Sequence, residues 1–206
     1  MSIDSREPPT VGRDAELQQL EAALEALGAG GPACVAVEGE PGIGKTRLLR
    51  ELRDRAEARG HLVLAGAAAE FERSMPFSVW SDALDAYVAA QELELRDADD
   101  LAEILPALRR PGATGSSVAD ERYRAHRAMR GLLDLLDLLA RERPLVVVFD
   151  DIHWGEPTFL DLIEHLADWT RDAAVLVLCI ARQELLEIRP GWGGGKMNAT
   201  SILLEP

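Results

Sequence analysis

Lysine is nearly missing from this 206-residue sequence, which contains only Lys45 and Lys196. Arginine does not make up the deficit. Acidic residues outnumber basic ones 36 to 22, for a formal net charge of −14. Binding to phosphate backbones depends on Lys and Arg neutralising phosphates, so no direct nucleic-acid partner is expected for this segment. Long apolar runs are missing too. The longest, 145–149 and 173–181, fall far short of the roughly 20 residues that span a bilayer, and no membrane partner is expected. The opening residues 1–10 are polar and proline-rich without the apolar centre of a secretory signal, and read as a flexible N-terminal arm. Cysteine is limited to Cys34 and Cys179, both in apolar stretches. That points to buried thiols in a reducing, cytoplasmic setting and excludes a disulfide framework. What the chain does have is 47% hydrophobic and 28% charged residues, the balance of a packed domain and not of a disordered tail.

Apolar periodicity divides residues 11–206 into alternating helices and strands. Leu17, Leu20, Leu24 and Leu27 recur at helical spacing behind Asp14, and Gly28, Gly30 and Gly31 end the run. Residues 34–38 read as a buried strand. A helix follows from about Gly44 to Arg59, with Leu48, Leu49, Leu52 and Ala56 inward. Residues 61–66 form a second strand. The spacing predicts helices over 75–90, over 101–108 with an interruption at Pro106, and over 120–141, with a loop at 111–117. Strand 145–149, helix 157–169, strand 175–180, a glycine loop at 191–195 and a last strand from 201 complete the series. No internal repeat is visible. Strands alternating with helices predict an α/β fold, a mostly parallel five-stranded sheet with helices on both faces.

The first strand runs into Gly39-Glu40-Pro41-Gly42-Ile43-Gly44-Lys45-Thr46, which fits G-x-x-x-x-G-K-[ST] at every fixed position. Such a loop turns backbone N–H groups inward onto phosphate oxygens, a conformation that glycines permit. The helix behind it presents its positive end to the same phosphates. Lys45 supplies a cation for the β- and γ-phosphates, and the Thr46 hydroxyl a ligand for Mg²⁺. The expected nucleotide-contact set is Gly39, Pro41, Gly42, Ile43, Gly44, Lys45, Thr46 and Arg47. A second motif, Leu145-Val146-Val147-Val148-Phe149-Asp150-Asp151, is a buried strand ending in two carboxylates. Beside a phosphate loop, Asp150 is placed to hold Mg²⁺ and Asp151 to orient or deprotonate the attacking water. Arg182 follows the 175–180 strand, where it is either a γ-phosphate reporter or a surface cation. ATP or ADP with Mg²⁺ is the expected ligand, because no Asn-Lys-x-Asp guanine reader exists in a chain with two lysines.

Taken together, Val11-Gly12-Arg13-Asp14-Ala15-Glu16-Leu17, the phosphate loop and Val148-Phe149-Asp150-Asp151-Ile152-His153-Trp154 resemble the AAA-type ATPase module of the STAND class. Such modules occur in bacterial LuxR-type and SARP-type transcriptional regulators and beside nucleotide cyclase domains. Residues 189–200 are similar to the cyclase-associated and SARP branches. The resemblance runs over 11–206 and is weak across 67–141. It implies that Val11, Gly12 and Arg13 lie by the adenine and ribose, that Asp150 and Asp151 form the Walker-B pair, and that Arg182 is a sensor. It also implies a nucleotide switch that hydrolyses ATP slowly. The family continues into a helical lid, a winged-helix segment and an effector, so the expectation is an N-terminal fragment or shortened chain. Its partners would be those C-terminal regions or other subunits. Two alternatives stand beside this reading: a small-molecule P-loop kinase and an origin-recognition-type DNA-loading ATPase. Arg122, Arg124, Arg127 and Arg130 recur along one helix, either as an arginine-finger source or as a solvated basic face. His153 and Lys196 are each left between a phosphate contact and a packing or solvent role.

Overall fold

In a computed structural model the described residues are 12–29, 33–72, 75, 77–91, 93, 95, 98–109, 121–169, 173–192 and 199–205. The chain runs α1 (Asp14–Gly28), β1 (Ala33–Glu38), α2 (Lys45–Ala58), β2 (Leu62–Ala67), α3 (Ser78–Ala89), α4 (Ala98–Leu101), α5 (Glu121–Glu142), β3 (Leu145–Asp150), α6 (Pro157–Trp169), β4 (Val175–Ala181), α7 (Glu184–Ile188) and β5 (Ala199–Leu203). Five strands form one sheet in the order β2-β3-β4-β1-β5. Every pairing is parallel, with β1 running between β4 and β5. The mostly parallel five-stranded sheet expected from the sequence is present.

Side chains alternate across a strand, and on the central strands β1, β3 and β4 both faces are buried, which is why these are almost wholly apolar, while the edge strands β2 and β5 leave residues exposed. Val35 and Val37, Val146 and Val148, and Leu176, Leu178 and Ile180 pack with Leu17, Leu20 and Leu24 of α1 and Leu48 and Leu52 of α2. Their neighbours Ala36, Val147, Phe149, Val177 and Cys179 face the opposite layer, under α3, α5 and α6. Trp80, Phe149 and Phe159 lock that layer edge-to-face, with ring centroids 4.5 Å apart for Trp80–Phe149 and 5.0 Å for Phe149–Phe159. Cys34 and Cys179 are buried free thiols, as expected. Burial, reinforced by the neighbouring Cys34, holds the Cys179 thiol well above its ordinary range.

Three boundaries differ from the periodicity. The helix expected from 75 begins at Ser78, because Phe77 takes left-handed backbone (φ 62). The helix expected over 101–108 is reduced to α4 and a 3-10 turn at Pro106–Leu108, since proline cannot continue an α-helix. A short helix, α7, lies where none was expected. The 1–10 arm, Val11, the 111–117 loop and Lys196 lie outside the described residues, as does most of the 191–195 loop. Among the described residues no helix is long and apolar enough to cross a membrane.

Candidate nucleotide site

The carboxyl ends of β1, β3 and β4 lie side by side, the place where parallel α/β sheets bind ligands. β1 delivers the glycine loop. Gly42 (φ +82) and Gly44 (φ +103) occupy left-handed backbone, which β-carbons disfavour, and a Cβ on either would point into open space. Gly39 lies in a close approach: a Cβ there would stand 3.1 Å from the Leu204 carbonyl oxygen and 3.1 Å from Ile43 Cγ2. Pro41 is exposed and Ile43 is partly buried on the α1–α2 side of the core.

Lys45 opens α2 and is buried. Its ammonium donates to the carbonyl oxygens of Gly39 at 2.7 Å and Glu40 at 2.9 Å, so the loop wraps its own cation. Burial lowers its pKa and Arg182 adds to the effect, while Asp151, Asp150 and Glu184 oppose it. All four groups are therefore within electrostatic reach of Lys45. Thr46, the next residue, hydrogen-bonds Asp150 through its side chain. Asp150 closes β3, and its Oδ1 accepts the Asp151 N–H at 2.9 Å. Burial raises the Asp150 pKa, and the like charge of Asp151 raises it further. Asp151 stands half-exposed on left-handed backbone (φ 52).

Arg13 reaches the loop from the start of α1. Its guanidinium donates to the Ile43 carbonyl at 3.5 Å and pairs with Glu16 at 2.9 Å. The structure thus brings Arg13, Lys45, Thr46, Asp150, Asp151 and Arg182 to one end of the sheet. Gly12 (φ +76) adjoins Arg13, and Arg47 is partly buried on the first turn of α2. The recurring α5 arginines separate: Arg127 is bound to Asp100, Arg130 is exposed, and the side chains of Arg122 and Arg124 lie outside the described residues.

The donor set fits a magnesium-bound nucleotide. A hydroxyl beside a half-buried carboxylate, with a second carboxylate adjoining, concentrates negative charge that a hard divalent cation relieves. A lysine resting on loop carbonyls is a cation that phosphate oxygens can take over.

Two features carried no sequence signal. Glu184 joins the electrostatic field of Lys45 from α7, a helix too short for periodicity to reveal. Buried Glu38 accepts the Ser201 hydroxyl at 2.9 Å and its carbonyl accepts the Leu204 N–H at 2.8 Å, fastening β5 to the root of the loop. Only a strand order that sets β5 beside β1 discloses that pair.

A family model described as an AAA ATPase domain matches residues 9–178. An uncharacterized protein of Rhizobium meliloti (strain 1021) is 29% identical over 193 residues, covering 84% of this chain. The chain spans only 18% of that relative's length. Among solved structures, one of Drosophila ORC bound to DNA is similar at TM-score 0.53 and 14% identity, covering 94% of this chain and 43% of that one. A crystal structure of a DNA replication initiation factor gives a TM-score of 0.45 at 16% identity, with coverage of 97% and 48%.

Proposed function

Because the chain belongs to the AAA ATPase domain family, we propose that it is the ATP- and Mg²⁺-binding, slowly hydrolysing switch module of a signalling or transcription regulator of the STAND type. The observation that carries this reading is the meeting of Lys45, Thr46, Asp150, Asp151 and Arg182 at the ends of three adjacent strands. In it, the loop N–H groups and Lys45 hold the phosphates, and Gly12 and Arg13 border the base and ribose. Thr46 and Asp150 would hold Mg²⁺, which when bound neutralises charge on the phosphates. Asp151 accepts a proton or hydrogen bond from the attacking water. Arg182 responds to the γ-phosphate from β4. Slow turnover suits a switch, in which occupancy by ATP or ADP carries the information and hydrolysis resets it. An arginine supplied from a neighbouring subunit contributes about 10³ to 10⁵ in rate to phosphoryl transfer, and a switch can leave that contribution to assembly. Turnover of the isolated chain is expected well below the roughly 1–10³ s⁻¹ of dedicated enzymes.

Calorimetric titration with Mg·ATP tests the reading. Wild type is expected to bind, and Lys45→Ala to lose most of that affinity, because the cation facing the β- and γ-phosphates is removed. Asp151→Asn is expected to bind ATP normally and lose turnover. Undiminished affinity in Lys45→Ala would sink the site assignment. Phosphoryl transfer from ATP to a small acceptor would instead establish a kinase.

A further inference from the structure

His153 is the motif residue to which the nucleotide reading assigns no task. After Asp151 the chain passes through one 3-10 turn, Ile152–Trp154. Trp154 N–H donates to the Asp151 carbonyl at 3.0 Å, and Gly155 N–H to the Ile152 carbonyl at 2.8 Å. Gly155 closes the turn tightly against α6, since a Cβ there would stand 2.4 Å from Cδ1 of Phe159. His153 is the buried middle residue of this turn. Its side chain is 4% exposed, and its Nδ1 lies 3.7 Å from Oδ1 of Asp151, whose side chain is 43% exposed. The Trp154 ring lies against the imidazole, with centroids 4.9 Å apart.

We propose that His153 is a positioning residue for Asp151, with the Nδ1–H of a neutral imidazole directed at Oδ1. This rests on the reading of Asp151 as the water-orienting carboxylate. A separation of 3.7 Å is longer than a direct hydrogen bond. The ring is packed and the carboxylate is half-exposed, so rotation of Asp151 closes the gap. Holding Oδ1 inward leaves Oδ2 to face the attacking water. The contact also favours the tautomer with the proton on Nδ1, because the partner of one imidazole nitrogen biases which nitrogen carries the proton.

Nitrogen-15 NMR of the nucleotide-free chain reads that tautomer directly. Wild type is expected to carry the proton on Nδ1. Asp151→Gly, which suits left-handed backbone and removes the carboxylate, is expected to shift the population toward Nε2–H. Kinetics give the second readout. His153→Leu should lower turnover about 10- to 100-fold, the usual cost of removing an orienting partner, with Mg·ATP affinity unchanged. His153→Asn keeps an N–H near the Nδ1 position and should recover most of the loss. A tautomer indifferent to Asp151→Gly, or wild-type turnover in His153→Leu, overturns the proposal while leaving Asp151 its role. Wild-type turnover in Asp151→Asn removes that role and the proposal with it, and the nucleotide-free spectrum shows which of the two has failed.

Discussion

Asp150 shows at the scale of one residue what a half-buried carboxylate beside a like charge does to the pH dependence of a fold. Its carboxyl is half-buried and adjoins Asp151, so its folded-state pKa lies above the ordinary carboxylate value. The folded state then holds that proton more tightly than the unfolded chain. The associated stability is present at low pH and is lost as pH rises through the folded pKa. At neutral pH the ionised group works against the folded state. Asp150→Asn is therefore expected to raise the Tm of the nucleotide-free chain at pH 7, with the difference fading near pH 3, while Mg²⁺-dependent stabilisation by ATP is lost. Thermal unfolding at both pH values, with and without Mg·ATP, checks this. A lower Tm at pH 7 would mean that the Thr46 and Asp151 hydrogen bonds outweigh the half-buried charge. Lys45 is the opposite case in charge and in sign. Its pKa is lowered by burial, so stability rises with pH in the window just below the ordinary lysine value. Nucleotide phosphates would restore its preference for the proton. ATP binding in alkaline buffer is accordingly expected to take up protons, seen as a binding heat that depends on the buffer's ionisation enthalpy, a dependence that should shrink as the pH is brought well below the lysine range.

At the scale of elements, α3 packs on the edge strand β2 by virtue of one missing side chain. A Cβ on Gly66 would come within 2.5 Å of the Val79 carbonyl oxygen and 3.2 Å of Ala83 Cβ. The obstacle is helix backbone, which must move as a unit. Gly66→Ala is expected to cost about 1–3 kcal/mol, the usual range for overpacking. For a chain of this size that lowers Tm by about 2–4 °C per kcal/mol. Nucleotide affinity should survive, since β1 and α2 are untouched. Denaturant unfolding together with ATP titration separates the two effects, and a neutral Gly66→Ala would show that α3 is free to shift. The same close approach explains what sequence could and could not disclose. The central strands β1, β3 and β4 were legible because they are buried on both faces and so read as apolar runs, whereas the edge strands β2 and β5 expose residues and read less continuously. Lys45, Thr46, Asp150 and Asp151 were legible because their spacing is dictated by local backbone. The start of α3 was not, because tertiary contacts set it. Glu156 accepts the N–H of Thr158 and Phe159 at 2.6 Å each, capping α6, and that of Phe77 at 3.4 Å across 79 positions of sequence. A helix whose first residues are fixed by a carboxylate so distant carries no periodic signature of where it begins. Glu184 escaped for a related reason, since α7 has five residues and a single turn has no periodicity.

For the whole molecule, the similarity to a DNA-bound ORC structure at 14% identity is a similarity of fold, and charge decides whether this chain shares that partner. A phosphate backbone must find cations that are available to it. The net charge is −14, and many of the described arginines are engaged within the chain. Arg55 and Arg59 both pair with Glu21, Arg127 with Asp100, Arg141 with Asp137, and Arg189 with Asp161 at 2.7 Å. Exposed pairs of this kind are worth only about 0–1 kcal/mol each, so DNA phosphates could displace individual carboxylates. They would still approach a surface whose summed field repels them. Non-specific DNA binding typically has a Kd of about 10⁻⁴ to 10⁻⁶ M at physiological salt and strengthens as salt is lowered. This chain is expected to show no binding to duplex DNA at micromolar protein, even near 50 mM salt, while Mg·ATP raises its Tm in the same buffer. Fluorescence anisotropy with a labelled duplex, repeated across salt concentrations, measures it. Affinity that climbs steeply as salt falls would require a local basic surface strong enough to overcome the net charge. The DNA-loading reading would then displace the signalling one.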